Sequence, residues 1–124
     1  MTPEQVQAKL TLLAATIARL RRIPAGDLDT FRSDERNVDA ALRLLQVAIQ
    51  ILIDVGSHLV SRRLENAGRL PPGGAARFAR LFAFRNRIVH LYDRVDEAVV
   101  YEIIVRHTAD LEELARLYVV AEST

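Results

Sequence analysis

Arg85, Asn86, Arg87, His90 and Tyr92 concentrate the densest polar chemistry of this chain in the run Arg85-Asn86-Arg87-Ile88-Val89-His90-Leu91-Tyr92. A guanidinium presents a planar fork to phosphate oxygens and cannot act as a base, whereas an imidazole exchanges a proton near neutral pH. With the tyrosine hydroxyl, the set can hold a phosphate, move a proton and supply an O–H group. No carboxylate lies in the run, which argues against a Mg²⁺ ion held there. Phe78, Leu81, Arg85, Ile88 and Tyr92 follow 3,4,3,4 spacing, the pattern of an amphipathic helix near its end. On it Asn86 and Arg87 lie four and three residues before His90 and share its face. Arg85 lies roughly 140° around from His90, and its length lets it swing toward the same helix end. A plainer account competes, because the macrodipole favours arginines at helix C-termini and a lone histidine there can cap a carbonyl.

Positioning such a set takes long helices, and the chain is rich in them. Thr2 as N-cap, Pro3 at the first helical position and Gln5 three residues past the cap predict a capped helix to about Arg21, with Val6, Leu10, Leu13, Ile17 and Leu20 as its buried stripe. Pro24 and Gly26 stop it, and residues 23–32 read as a loop pinned by Leu28 and Phe31. Ser33 or Asp34 caps the longest helix, expected over 34–63. It carries two apolar stripes, one of Val38, Leu42, Leu45, Ile49, Leu52 and Leu59, the other of Leu44, Val47, Ile51 and Val55. A face that wide needs cover from several sides, from sibling helices or from a second subunit. Asp54 and His58 stand four apart on it, either as an ordinary surface pair or in support of the Arg85/His90 cluster.

Asn66, Gly68, Pro71, Pro72, Gly73 and Gly74 mark a loop. Arg62, Arg63, Arg69, Arg77 and Arg80 around it form either a rim for nucleic acid or simply solvated charge. A third helix is expected over 75–90, and Asp96 caps a fourth with the stripe Val100, Ile104, His107, Leu111, Leu114 and Tyr118. His107 on that stripe reads as a packed or interface histidine, and the residues after Tyr118 are expected to fray. The length of 124 residues suits a single domain, residues 1–124.

Composition narrows the function. The 17 basic and 16 acidic side chains leave a formal charge of +1, so any nucleic-acid contact must come from a local cluster. Lys9 is the sole lysine; the arginine excess suits phosphate forks, or follows from a skewed genome composition. The absence of cysteine excludes disulfides and thiolate metal sites and fits a cytoplasmic home. The N-terminus shows no signal-peptide pattern, and Arg43, Gln46, Gln50 and Asp54 interrupt the apolar runs too often for a membrane span.

Arg85, four intervening residues, His90, one residue and Tyr92 match the Arg-x4-His-x-Tyr signature of the HEPN superfamily, and the segment FRNRIVHLYDRVD resembles its HepT-like branch. The Leu-rich helix with Ser57-His58 near its end and the later Asp96-Glu97…Tyr101-Glu102-Ile103-Ile104 extend the similarity over nearly the whole chain. The resemblance implies an all-α fold, an antiparallel four-helix up-and-down bundle that is dimeric. It also implies a metal-independent endoribonuclease toxin of a type VII-like toxin–antitoxin pair, with RNA as substrate and no cofactor. Arg85 and His90 are then the catalytic residues, with Asn86, Arg87 and Tyr92 in support, and Asp54 and His58 are candidates for a further supporting pair on their spacing alone. A single histidine cannot comfortably be acid and base on opposite sides of one phosphate, so two motif copies across a homodimer cleft are expected. The resemblance further implies a cognate minimal nucleotidyltransferase antitoxin that adenylylates Tyr92. The alternative is a non-catalytic HEPN-type nucleotide-binding or scaffold protein that docks such a nucleotidyltransferase.

Overall fold

Every helix start that can be followed in this chain is closed by a side chain chosen for the task. The computed structural model describes residues 1–65, 83, 85, 86 and 96–123, with the backbone alone for 61–65. Helix α1 spans Pro3–Arg21. At its start the Gln5 amide N–H donates to Thr2 Oγ1 at 3.2 Å and the Thr2 N–H donates to Gln5 Oε1 at 2.8 Å, the reciprocal capping box read from the sequence. Val6, Leu10, Leu13, Ile17 and Leu20 are buried as expected.

The segment read as a loop contains a short helix, α2 (Leu28–Arg32). Its cause is Asp27, whose Oδ1 accepts the Thr30 N–H at 2.7 Å. That bond holds the Asp27 carboxyl below the usual carboxylate range. The contribution is therefore present at neutral pH and is lost as acid protonates the folded-state carboxylate. α2 drives Phe31 fully into the core, where its ring meets Tyr101 at 5.8 Å between centroids and a 45° tilt. Asn37 Nδ2 donates to the Phe31 carbonyl at 3.1 Å and ties α2 to the next helix.

Helix α3 spans Glu35–Glu65, and α4 spans Glu97–Ser123. Asp34 Oδ1 accepts the Arg36 N–H at 3.0 Å, and the Arg36 side chain holds the Asp34 carboxyl low. Asp96 Oδ1 accepts the Ala98 and Val99 N–H groups at 3.1 and 3.3 Å, the cap expected from the sequence. The C-terminal residues do not fray: α4 continues past Tyr118 to Ser123. The half-buried Tyr118 has its phenol pushed up to about 12 by burial, and it stays neutral throughout the physiological range.

The Lys9–Asp54 ion pair fixes the direction of α1 on α3. Were they parallel, Arg21 would stand about 47 Å along the axis from Glu35 at 1.5 Å per residue. The intervening chain, five of whose residues coil into α2, reaches at most about 40 Å. The two helices therefore run antiparallel. α4 packs on both, and α2 lies against α3 and α4. Arg21 donates to the Glu112 carboxylate, linking the end of α1 to α4. Of the expected third long helix, Ala83, Arg85 and Asn86 are described, and all are helical.

Both α3 stripes are covered within one chain. Val38, Leu42, Leu45, Ile49, Leu52 and Leu59 are buried, and so are Leu44, Ile51 and Val55, with Val47 half-buried. The width of α3 thus needs no second subunit. The large apolar side chains left exposed include Leu12 on α1 and Val105, Leu117, Val119 and Val120 on α4. Among the described residues two polar side chains are buried, Thr16 and Thr108, and they donate to the carbonyls of Leu12 and Ile104 at 2.7 and 2.6 Å, the residues four before them. Leu45 is fully buried at the centre of α3. Leu45→Ala should lower unfolding stability by about 2–5 kcal/mol, read as a lower urea midpoint at unchanged slope.

Candidate functional site

α3 carries a polar stripe beside its apolar ones. Arg43, Gln46, Gln50, Asp54 and His58 recur at steps of three and four, which keeps them on one face of the helix. Arg43 and Gln50 are exposed, whereas Gln46, Asp54 and His58 are half-buried. The Asp54 carboxylate is held from two helices: Gln50 Nε2 donates to Oδ1 at 2.9 Å, and Lys9 Nζ of α1 stands 3.6 Å from Oδ2. Both members of the Lys9–Asp54 pair are about one-third exposed (38% and 36%), so it contributes no more than about 1 kcal/mol. Its effect is positional, because it orients the carboxylate between α1 and α3.

Arg85 closes this face from a third element. Its helical backbone and exposed side chain border a cavity of about 430 Å³ that Lys9, Arg43, Gln46, Gln50 and Asp54 also line. Val47, Ile49 and Ile51 give the cavity an apolar floor. Among the described residues, three cationic side chains against one carboxylate leave the lining at +2. Neither Arg43 nor Arg85 has an ion-pair partner among the described residues, so two guanidinium forks are available to an anion. A cavity of this size lies in the range of small-ligand pockets, and its charge selects for phosphate or carboxylate.

Of the residues singled out from the sequence, Arg85 and Asp54 come together at this cavity. Asn86 is helical and exposed beside Arg85, outside the lining. His58 lies one turn past Asp54 on the same stripe and does not line the cavity. Arg87, His90 and Tyr92 lie outside the described residues, as do Arg69, Arg77, Arg80 and the side chains of Arg62 and Arg63. His107 is half-buried, with Nδ1 3.0 Å from Asp110 Oδ2, on α4 and away from the cavity lining. Among the described residues no three His, Asp or Glu side chains gather as a metal-binding group. None of their helices is long and apolar enough to cross a membrane.

Sequence reasoning passed over Lys9, Arg43, Gln46 and Gln50 as site residues. Three of them entered it only as interruptions of apolar runs. Their recurrence with Asp54 at helical spacing was the signal that these interruptions form a continuous face.

The arrangement defines an all-helical domain that sets a motif arginine over a cationic cavity. The family model described as Ribonuclease HepT-like matches residues 13–117, and the chain belongs to that family, the HEPN-type ribonucleases. A curated relative from Aphanizomenon flos-aquae (strain 2012/KM1/D3), the tRNA nuclease HepT, is 27% identical over 116 residues, covering 82% of this chain and 79% of the relative. No solved structure matches.

Proposed function

We propose that this chain is a metal-independent endoribonuclease toxin that acts on RNA as a homodimer of four-helix up-and-down bundles and is silenced by a nucleotidyltransferase antitoxin. The observation that carries the reading is Arg85: in a chain of the ribonuclease family, the motif arginine is exposed, has no ion-pair partner among the described residues, and borders a cavity lined at +2. In this reading the ribose 2′-hydroxyl loses its proton to His90 and attacks the adjacent phosphorus. The bond to the 5′-oxygen breaks, leaving a 2′,3′-cyclic phosphate and a 5′-hydroxyl. Arg85 binds the non-bridging oxygens as their charge grows. Asn86 orients, and Arg87 adds a second phosphate contact. The motif of the partner copy supplies the acid that protonates the leaving oxygen. With the α3 stripes covered internally, the exposed apolar residues of α1 and α4 are, among the described residues, the candidate surface for dimerisation.

The name of the relative points to transfer RNA as the first substrate to try. The purified chain, incubated with unfractionated tRNA in excess chelator, should produce fragments with cyclic-phosphate ends at the rate seen without chelator. Cleavage that needs added Mg²⁺ overturns metal independence. Binding without cleavage under either condition would favour the non-catalytic scaffold.

A further inference from the structure

We infer that the cavity between α1 and α3 is a subsite for the RNA nucleotide next to the cut, with Arg43 as its phosphate ligand and Gln50 as a hydrogen-bond donor and acceptor to sugar or base. The inference rests on the ribonuclease reading of Arg85, which lines the same cavity. A strand whose reacting phosphate is held by Arg85 must place a neighbouring nucleotide within reach of the other walls. Those walls are already organised for an anion. Arg43 is exposed and has no ion-pair partner among the described residues, whereas Lys9 is partly neutralised by Asp54 at 3.6 Å. Among the described lining residues, Arg43 is therefore the cation, besides Arg85, with its fork unspent.

The chemistry of the lining also selects among occupants. A net charge of +2 opposes a cation, and unpaired guanidinium groups oppose a purely apolar ligand. Among the described residues no aromatic side chain lines the cavity, so these walls offer a base no stacking platform. Recognition through Arg43 is then recognition of backbone, which positions the strand and carries little sequence information. The Gln50–Asp54–Lys9 chain of contacts holds the cavity wall in shape from two helices.

The test measures binding of unfractionated tRNA to the His90→Ala chain, its helical content checked by circular dichroism, across a salt series. Adding Arg43→Gln should weaken binding roughly tenfold at low salt and flatten the slope of log K against log salt by about 0.7–0.9, the loss of one phosphate contact. Adding Arg43→Lys instead should restore the slope. A merely structural role for Arg43 would change the affinity without restoring the slope through lysine, and that result overturns the subsite. Parent binding with a slope that Arg43→Gln leaves unchanged also overturns it, while the ribonuclease reading stands. Failure of the parent to bind tRNA at any salt overturns both.

Discussion

His90→Ala is expected to leave a folded protein that no longer cuts RNA, with the rate down by a factor of order 10² or more, and Arg85→Ala is expected to lose at least as much by a different route. The histidine variant loses proton transfer. Its residual rate should therefore lose the pH dependence that an imidazole imposes near neutrality. The arginine variant keeps the imidazole but loses the fork on the phosphate, so its pH profile should keep its shape at a lower level. Lysine at position 85 retains a charge without the bidentate geometry, so it should recover only part of the rate. Light scattering must show both variants at about twice the 13.9 kDa chain mass, which separates chemical loss from loss of the assembly. Full activity of His90→Ala would remove the histidine from the mechanism. A monomeric wild type with full activity would remove the shared cleft.

The helix boundaries were legible because they are set by local chemistry. Thr2, Pro3 and Gln5 announce α1, and Asp96 announces α4, through bonds made within a few residues of one another. α2 was not read, because five residues are too few for a periodic signal and the segment is dominated by Pro24 and Gly26. Asp27 three residues before Thr30 was the local cue, and it lies within a stretch whose composition otherwise says loop. The extension of α4 to Ser123 has a similar cause. Val119, Val120 and Ala121 look like a tail by periodicity, yet they propagate a helix already nucleated and packed by Val100, Ile103, Ile104 and Leu111.

The site was legible where it is sequential and hidden where it is tertiary. Arg85 stands in a motif whose members lie within eight consecutive residues of the sequence. Lys9 and Arg43 lie far from it in the chain, and the antiparallel packing of α1 on α3 is what brings them to one cavity with it. The width of α3 was ambiguous in the same way. Its two stripes left cover by sibling helices and cover by a second subunit both open, and Leu44, Ile51 and Val55 are buried within one chain. Periodicity reports that a face is apolar and says nothing of what covers it.

Tyr92→Phe is expected to abolish covalent silencing outright while sparing most of the cleavage. Co-expressed with a cognate minimal nucleotidyltransferase, the wild-type chain should gain one or more adenylate units on the peptide containing Tyr92. The phenolic oxygen forms a bond to the α-phosphorus of ATP, pyrophosphate leaves, and the phenolic proton passes to a base of the transferase or to water. The expectation rests on the sequence spacing: Tyr92 follows His90 by two residues and Arg85 by seven, so phosphate oxygens of an attached AMP are expected to compete for the donors that RNA would use. The cavity that Arg85 borders, whose described lining including Arg85 carries +2, would hold that added charge instead of repelling it. The modified chain should therefore lose tRNA affinity along with activity. Tyr92→Phe should retain both in the presence of the transferase and ATP, and its intact mass should not change. A wild-type chain that is silenced in a stable complex at unchanged mass would overturn the covalent account and leave occlusion by the partner as the mechanism.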